Sequence, residues 1–156
     1  MDAMTSLAQI QLTPLKVIRG ELGEVRHALA IDTPGFSGFG EAYFSSIHCG
    51  AVKAWKKHLR MTLNLVVPVG QIRFVIVDEA TLDTAQPAAF EIILSPENYQ
   101  RLTVPPGLWF GFQGLATGLN LLLNVADVRH DPAEQQSLPA DDARLGHMWK
   151  AVQAGR

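Results

Sequence analysis

The stretch "GAVKAWKKHLRMTLNLVVPVG", residues 50–70, decides how the chain is read. It holds two short segments, "AVKAWKKH" and "MTLNLVVP", between glycines at positions 50 and 70. On an extended strand, side chains two apart share a face. Ala54, Lys56 and His58 therefore fall on one side of the first segment, and Trp55 and Lys57 on the other. If the first set points inward, an ammonium and an imidazole enter the mouth of a barrel. If the strand is slipped by one residue, Lys56 is instead a solvated edge lysine of the kind that discourages pairing with other chains.

Outward from this stretch the chain is strand-rich and punctuated. Upstream, "QIQLTPLKVI", the turn "RGELG" and "EVRHALAI" predict a hairpin, with Gly20 and Gly23 supplying permissive backbone. "DTPGFSGFGE" is a Gly/Pro loop and "EAYFSSIH" a short strand. Downstream, "GQIRFVIVD", "AAFEIILSP", "QRLTVPPG", "LWFGFQGL" and "NLLLNVAD" follow at short intervals, closed by Gly, Pro or Asp. Many short strands at regular spacing indicate a sandwich or barrel. Pro105 and Pro106 mark an edge or a bend, because proline cannot donate to a ladder. The tail, "RHDPAEQQSLPADD", reads as polar loop, and "ADDARLGHMWKAVQAGR" as a short helix weakened by Gly146.

The 156 residues suit one domain, with 47% apolar and 18% charged residues. A net charge of −2 and the lack of any Lys/Arg run argue against nucleic acid or an anionic membrane as partner. One cysteine, Cys49, excludes an internal disulfide and reads as a small, partly buried residue in a reducing compartment. No signal peptide is evident, and the apolar runs fall short of the roughly 20 residues that span a bilayer. The expectation is a cytoplasmic protein. No phosphate loop of the strand–helix kind and no G-x-S-x-G elbow is present.

The order of "GAVKAWKKH", "VGQIRFVIVDE", "ILSPENYQRLTVPPGLWFGF" and "HDPAE" resembles the cupin family of nucleotide-sugar 3,5-epimerases, those acting on dTDP-4-keto-6-deoxyglucose on the way to dTDP-rhamnose. The similarity runs from about Glu24 to about Trp149, and "LSPENYQRLTVPPG" is its most specific segment. It implies an all-β cupin jelly roll as a single domain over 1–156, with a barrel core over about 24–130 and an irregular or short helical tail over 131–156. It further implies a homodimer, the N-terminal hairpin crossing to the partner, and a nucleotide-sugar ligand used in surface polysaccharide (lipopolysaccharide) biosynthesis. A non-catalytic carbohydrate or nucleotide-sugar binding cupin is the alternative.

Many cupins bind a metal through G-x5-H-x-H-x4-E-x6-G. Gly50 and Gly70 keep that register, but Lys56, Leu63 and, further on, Phe110 stand at ligand positions, and only His58 remains. A protonated lysine repels a cation, so no metal is expected. The resemblance likewise implies an enzyme without metal or other cofactor. Its chemistry removes a proton beside a keto group and needs a base, a group to hold the enolate and an acid on the other face. The family's base falls at Lys56, its enolate lysine at Leu63, its tyrosine at Leu123 and its partner carboxylate at Asp142. Three of four have changed type.

Lys56, His58 and Asp142 are therefore the catalytic candidates. Lys56 would hold negative charge or, partly desolvated, act as base, and His58 is the other candidate base. Lys53 stands where the family has a diphosphate-binding arginine, unless it is a plain surface lysine. Trp109 and Phe110 are candidates to stack on a base or sugar ring, with core packing as the alternative, more so for Phe110. Either Tyr43 or Tyr99 would replace the missing acid, or serve as an interface residue. His130 reads as loop structure, and His27 as a strand histidine or dimer contact.

Overall fold

The computed structural model describes residues 4–152. Twelve strands run along the described residues: β1 (Gln11–Pro14), β2 (Val17–Gly20), β3 (Gly23–Arg26), β4 (Glu41–Ser46), β5 (Val52–His58), β6 (Leu63–Val69), β7 (Ile72–Asp78), β8 (Ala89–Leu94), β9 (Gln100–Val104), β10 (Leu108–Gly114), β11 (Leu121–Ala126) and β12 (Gln135–Ser137). One five-stranded sheet has the order β1-β9-β6-β11-β4, the other β12-β5-β10-β7-β8, and β2-β3 form a separate hairpin. All ladders between these strands are antiparallel. This is the expected cupin jelly roll.

The core lies between the two inner faces. Leu63, Leu65 and Val67 of β6 and Leu102 of β9 meet Phe74 and Ile76 of β7 and Phe110 and Phe112 of β10. Each such side chain, fully buried, contributes about 1.5–3 kcal/mol relative to exposure. The second sheet is covered on its outer face as well. Trp55, Val75, Val77 and Trp109 form a separate apolar cluster there with Leu82 and Leu145, and Leu138, Met148 and Trp149 of the tail pack against it. All seven residues of β10 are consequently buried. Gly111 permits the overlap: a Cβ there would lie 2.5 Å from the Ala54 Cβ and 2.8 Å from Trp149 Cζ2.

Three expectations are corrected. The segment "QIQLTPLKVI" is divided: β1 pairs with β9 and only β2 enters the hairpin with β3, so the sheets begin at Gln11 rather than near Glu24. The stretch taken as tail loop contains β12, whose Gln135, Gln136 and Ser137 pair with His58, Lys57 and Lys56. The expected helix is a single 3-10 turn at Gly146–Met148. Gly146 disfavours a longer helix, and Leu145 and Trp149 bury more by lying flat on the sheet; the part of that segment beyond residue 152 lies outside the described residues. Pro105 and Pro106 stand at the bend between β9 and β10, as the sequence predicts. Gly107 follows them with φ 91°, and its N–H donates to the His58 carbonyl at 2.8 Å.

Candidate functional site

A cavity of about 470 Å³ opens between the sheets. One wall carries Glu41, Tyr43 and Ser45 of β4 with Leu122 and Asn124 of β11; the other carries Lys53, Ala54, Lys56 and His58 of β5 with Phe110 and Phe112 of β10. Alternation places Lys56 and His58 inside, as read from the sequence, and sends Lys57 outward, where it pairs with Glu79 at 3.2 Å. Lys53 reaches the cavity through an irregularity. Lys56 pairs with Phe110 and Lys53 with Phe112, so three steps on β5 match two on β10. The extra residue turns Lys53 onto the same side as Lys56.

His58 is the best-anchored group in the cavity. Its Nδ1 meets the Glu134 carboxylate, and the second oxygen of that carboxylate accepts from the backbone N–H groups of Arg60 and Met61 at 3.1 and 3.2 Å. Glu134 is only 3% exposed. Burial pushes its pKa up, but the hydrogen bonds from His58 and the two amides outweigh this and hold it below the usual carboxylate range. An ionised Glu134 accepts from His58 Nδ1, so that in the neutral ring the lone pair sits on Nε2. The ring stacks beside Phe110 at 6.2 Å between centroids.

The opposite wall carries a hydroxyl. Asn124 Nδ2 donates to the Tyr43 Oη at 2.9 Å. Burial, then the nearby Glu41 charge, raises the Tyr43 pKa, opposed by the Asn124 hydrogen bond. Tyr99 is occupied elsewhere, donating to the His27 carbonyl at 2.8 Å. Lys53 Nζ caps β4 by donating to the Ser46 carbonyl and Ser45 Oγ at 2.8 and 3.1 Å. Among the described residues neither Lys53 nor Lys56 makes an ion pair.

Two candidates lie away from this constellation. Asp142 is in the tail, bound to the Arg144 guanidinium and backbone N–H at 3.0 Å, and does not line the cavity. Glu134 stands in the place expected for it. Trp109 faces the outer cluster, where its Nε1 donates to Glu79 and Lys57 lies 5.2 Å from its ring centroid. It neighbours Phe110, which lines the cavity, and adjacent strand residues cannot share a face. Leu63 belongs to the core. Leu123 lies between the two cavity-lining residues of β11, Leu122 and Asn124, and so on the opposite face.

Glu134, Asn124 and Gln135 were not singled out from the sequence. The signal for Asn124 is its cross-strand pairing with Tyr43; for Glu134 it is the "DPAE" turn, in which Asp131 caps a 3-10 turn that ends on the glutamate. Among the described residues no group of three or more His, Cys, Asp or Glu is placed to hold a metal ion. No helix in them is long and apolar enough to cross a membrane.

No family model matches the chain. It is 37% identical to a dTDP sugar isomerase from Desulfovibrio desulfuricans G20, whose crystal structure it matches with a TM-score of 0.81 over 88% of each chain. A dTDP-6-deoxy-D-glucose-3,5-epimerase from Legionella pneumophila, solved with dTDP-4-keto-L-rhamnose, is 19% identical with a TM-score of 0.77, covering 96% of this chain and 85% of that one. At that identity the likeness concerns the fold. A probable low-salt glycan biosynthesis epimerase of Haloferax volcanii is 26% identical over 113 residues, 70% of this chain and 72% of the relative.

Proposed function

The chain belongs to the cupin family of dTDP-4-dehydrorhamnose 3,5-epimerase-like proteins, and from that premise we propose that it enolises a dTDP-4-keto-6-deoxyhexose in the cavity, with His58 as the base. The observation that carries this reading is the His58–Glu134 pair, with Glu134 ionised and locked by two backbone amides. It leaves Nε2 free to take a proton from the carbon beside the sugar's keto group. Lys56 lines the same wall without a carboxylate partner, and its ammonium holds the enolate oxygen. Lys53 meets the diphosphate as a point charge, and Phe110 offers an apolar face to the sugar or base. No step in this scheme uses a metal or an organic cofactor.

The product is an activated deoxysugar for a surface glycan, made in the cytoplasm; the name of the Haloferax relative and the lone, unbridged Cys49 support that setting. The active form is a homodimer. Ile18, Leu22 and Val25 of the hairpin are 46, 104 and 58% exposed, and β4 ends its sheet with Phe44 65% exposed. A second copy of the chain would cover both. Sedimentation at micromolar concentration should give a dimer, and a monomer would overturn this assembly.

The test of the chemistry is solvent exchange. Incubated in heavy water with dTDP-4-keto-6-deoxyglucose, the protein should place deuterium on a ring carbon adjacent to the keto group, and His58→Ala should slow this by about 10²–10⁴-fold. Binding of the sugar nucleotide without any exchange would instead assign the non-catalytic binding reading.

A further inference from the structure

A smaller cavity lies on the other side of the first sheet and shares no residue with the site described above. Leu102 of β9 belongs to the core between the sheets, so its neighbour Arg101 faces outward. There Arg101 lines a pocket of about 170 Å³ at the base of the β2–β3 hairpin, together with Lys16, His27, Thr13 and Thr33. We propose that this pocket binds a phosphoryl anion, either inorganic phosphate or the single phosphate end of a larger molecule. The inference stands apart from the enolisation reading.

Arg101 supplies the main reason. It is 1% exposed, and among the described residues no carboxylate pairs with it. Its guanidinium donates instead to the carbonyls of Ala28 and Pro34 and, at 3.5 Å, to Thr33 Oγ1. These partners are dipoles, and they leave its net charge uncancelled. The buried Nε–H has no acceptor among the described residues. Burial pulls the pKa of Arg101 down, yet a guanidinium stays charged at any physiological pH. A buried cation without an anion is costly, and in a poorly screened setting its field extends into the pocket beside it.

The other lining groups add to that field. Lys16 and His27 lie across from each other at the open end of the hairpin, where the His27 N–H donates to the Lys16 carbonyl at 2.9 Å. Neither makes an ion pair among the described residues, and no Asp or Glu lines the pocket. Thr13 contributes a hydroxyl. The volume is below the roughly 300–1,000 Å³ of pockets that take whole small-molecule ligands. It suits one compact anion. A phosphoryl group answers this set, because its charged oxygens accept from ammonium, imidazole and hydroxyl donors at once.

The experiment follows the ring protons of His27 by NMR in the full chain, assigned by their disappearance in His27→Gln. Inorganic phosphate is titrated at constant ionic strength. A saturable shift is expected, half complete at about 1–10 mM. Arg101 anchors the segment from Ala28 to Pro34, so its removal would test folding as much as binding; the exposed Lys16 is substituted instead. Lys16→Met should raise the half-saturating concentration about fivefold. Replacing both Lys53 and Lys56 by Met empties the main cavity of ammonium groups and should leave the His27 response within about twofold of wild type. A parallel titration with dTMP separates the two sources: a tighter response assigns the site to the phosphate end of a nucleotide, a weaker one to the free anion. The proposal is overturned by the lack of a saturable shift up to about 50 mM phosphate. An equal shift with sodium chloride, an unchanged response in Lys16→Met, or loss of the response when Lys53 and Lys56 are replaced overturns it as well.

Discussion

Along β5, residues that face the cavity and residues that face away have opposite surroundings. Lys56 and His58 look into the cavity, the first without an ion partner among the described residues and the second held by Glu134. Trp55 and Lys57 look outward into a covered layer. Trp55 is fully buried with its ring 5.0 Å from that of Trp149, and Lys57 is tied to Glu79 and Trp109. One strand thus lines the cavity on one face and packs a buried layer on the other. The inner face has polar groups with capacity left over, while the outer face pairs Lys57 with Glu79 and is filled by apolar packing. Substitutions on the two faces should therefore fail differently.

The largest expected effect is on the outer face. Trp55→Ala removes a buried indole from beneath the tail and should lower stability by about 3–5 kcal/mol, read from chemical denaturation. Deuterium exchange by the protein that remains folded should stay near wild type. A loss of exchange with stability intact would break the division between faces.

Glu134 comes next, because it serves the inner face from a buried position. Glu134→Gln weakens the His58 pairing and should cost about 1–3 kcal/mol. The pH dependence sharpens this. Glu134 is held below its ordinary value of about 4.3, so its contribution is complete above that pH and fades as pH falls through the lower, folded value. Wild type should therefore lose stability more steeply than Glu134→Gln below about pH 4.3. Parallel acid profiles for the two proteins would show that the carboxylate is not held as described.

The smallest effect is the most direct comparison. Lys56→Ala should weaken binding of a dTDP-sugar about tenfold, roughly 1.4 kcal/mol, and Lys57→Ala less than twofold. Calorimetry giving equal losses for the two neighbours would place the wrong face of β5 in the cavity.

The strands from β4 to β11 were legible because each is a short apolar run bounded by Gly, Pro or Asp. Alternation put Lys56 and His58 on one face, and the family register with the Gly50–Gly70 spacing favoured turning that face inward. Lys53 also reaches the cavity, but by an irregular step in the β5–β10 register that period-two reasoning cannot foresee. β12 was hidden because "QQS" has no apolar alternation; it is a strand only because β5 has an open edge to pair with. With β12 unread, Glu134 had no visible route to His58, and Asp142 took its place by family spacing. That Trp109 and Phe110 cannot both face the ligand could have been read from alternation, but which of the two does so is set by the register of β10.

The pairing of β12 with β5 also sets an order of events during synthesis. His58 and Glu134 are 76 residues apart, and at about 5–20 residues per second the second follows the first by roughly 4–15 s. Until β10 is made both edges of β5 are unpaired, after it one edge stays open until β12, and throughout the imidazole has no anchor. The sheets can already close through β5-β10-β7-β8, since those strands precede β12 in the chain. The two main sheets can therefore assemble before the His58 imidazole gains its carboxylate, which waits until the segment through Ser137 has emerged and zipped onto β5.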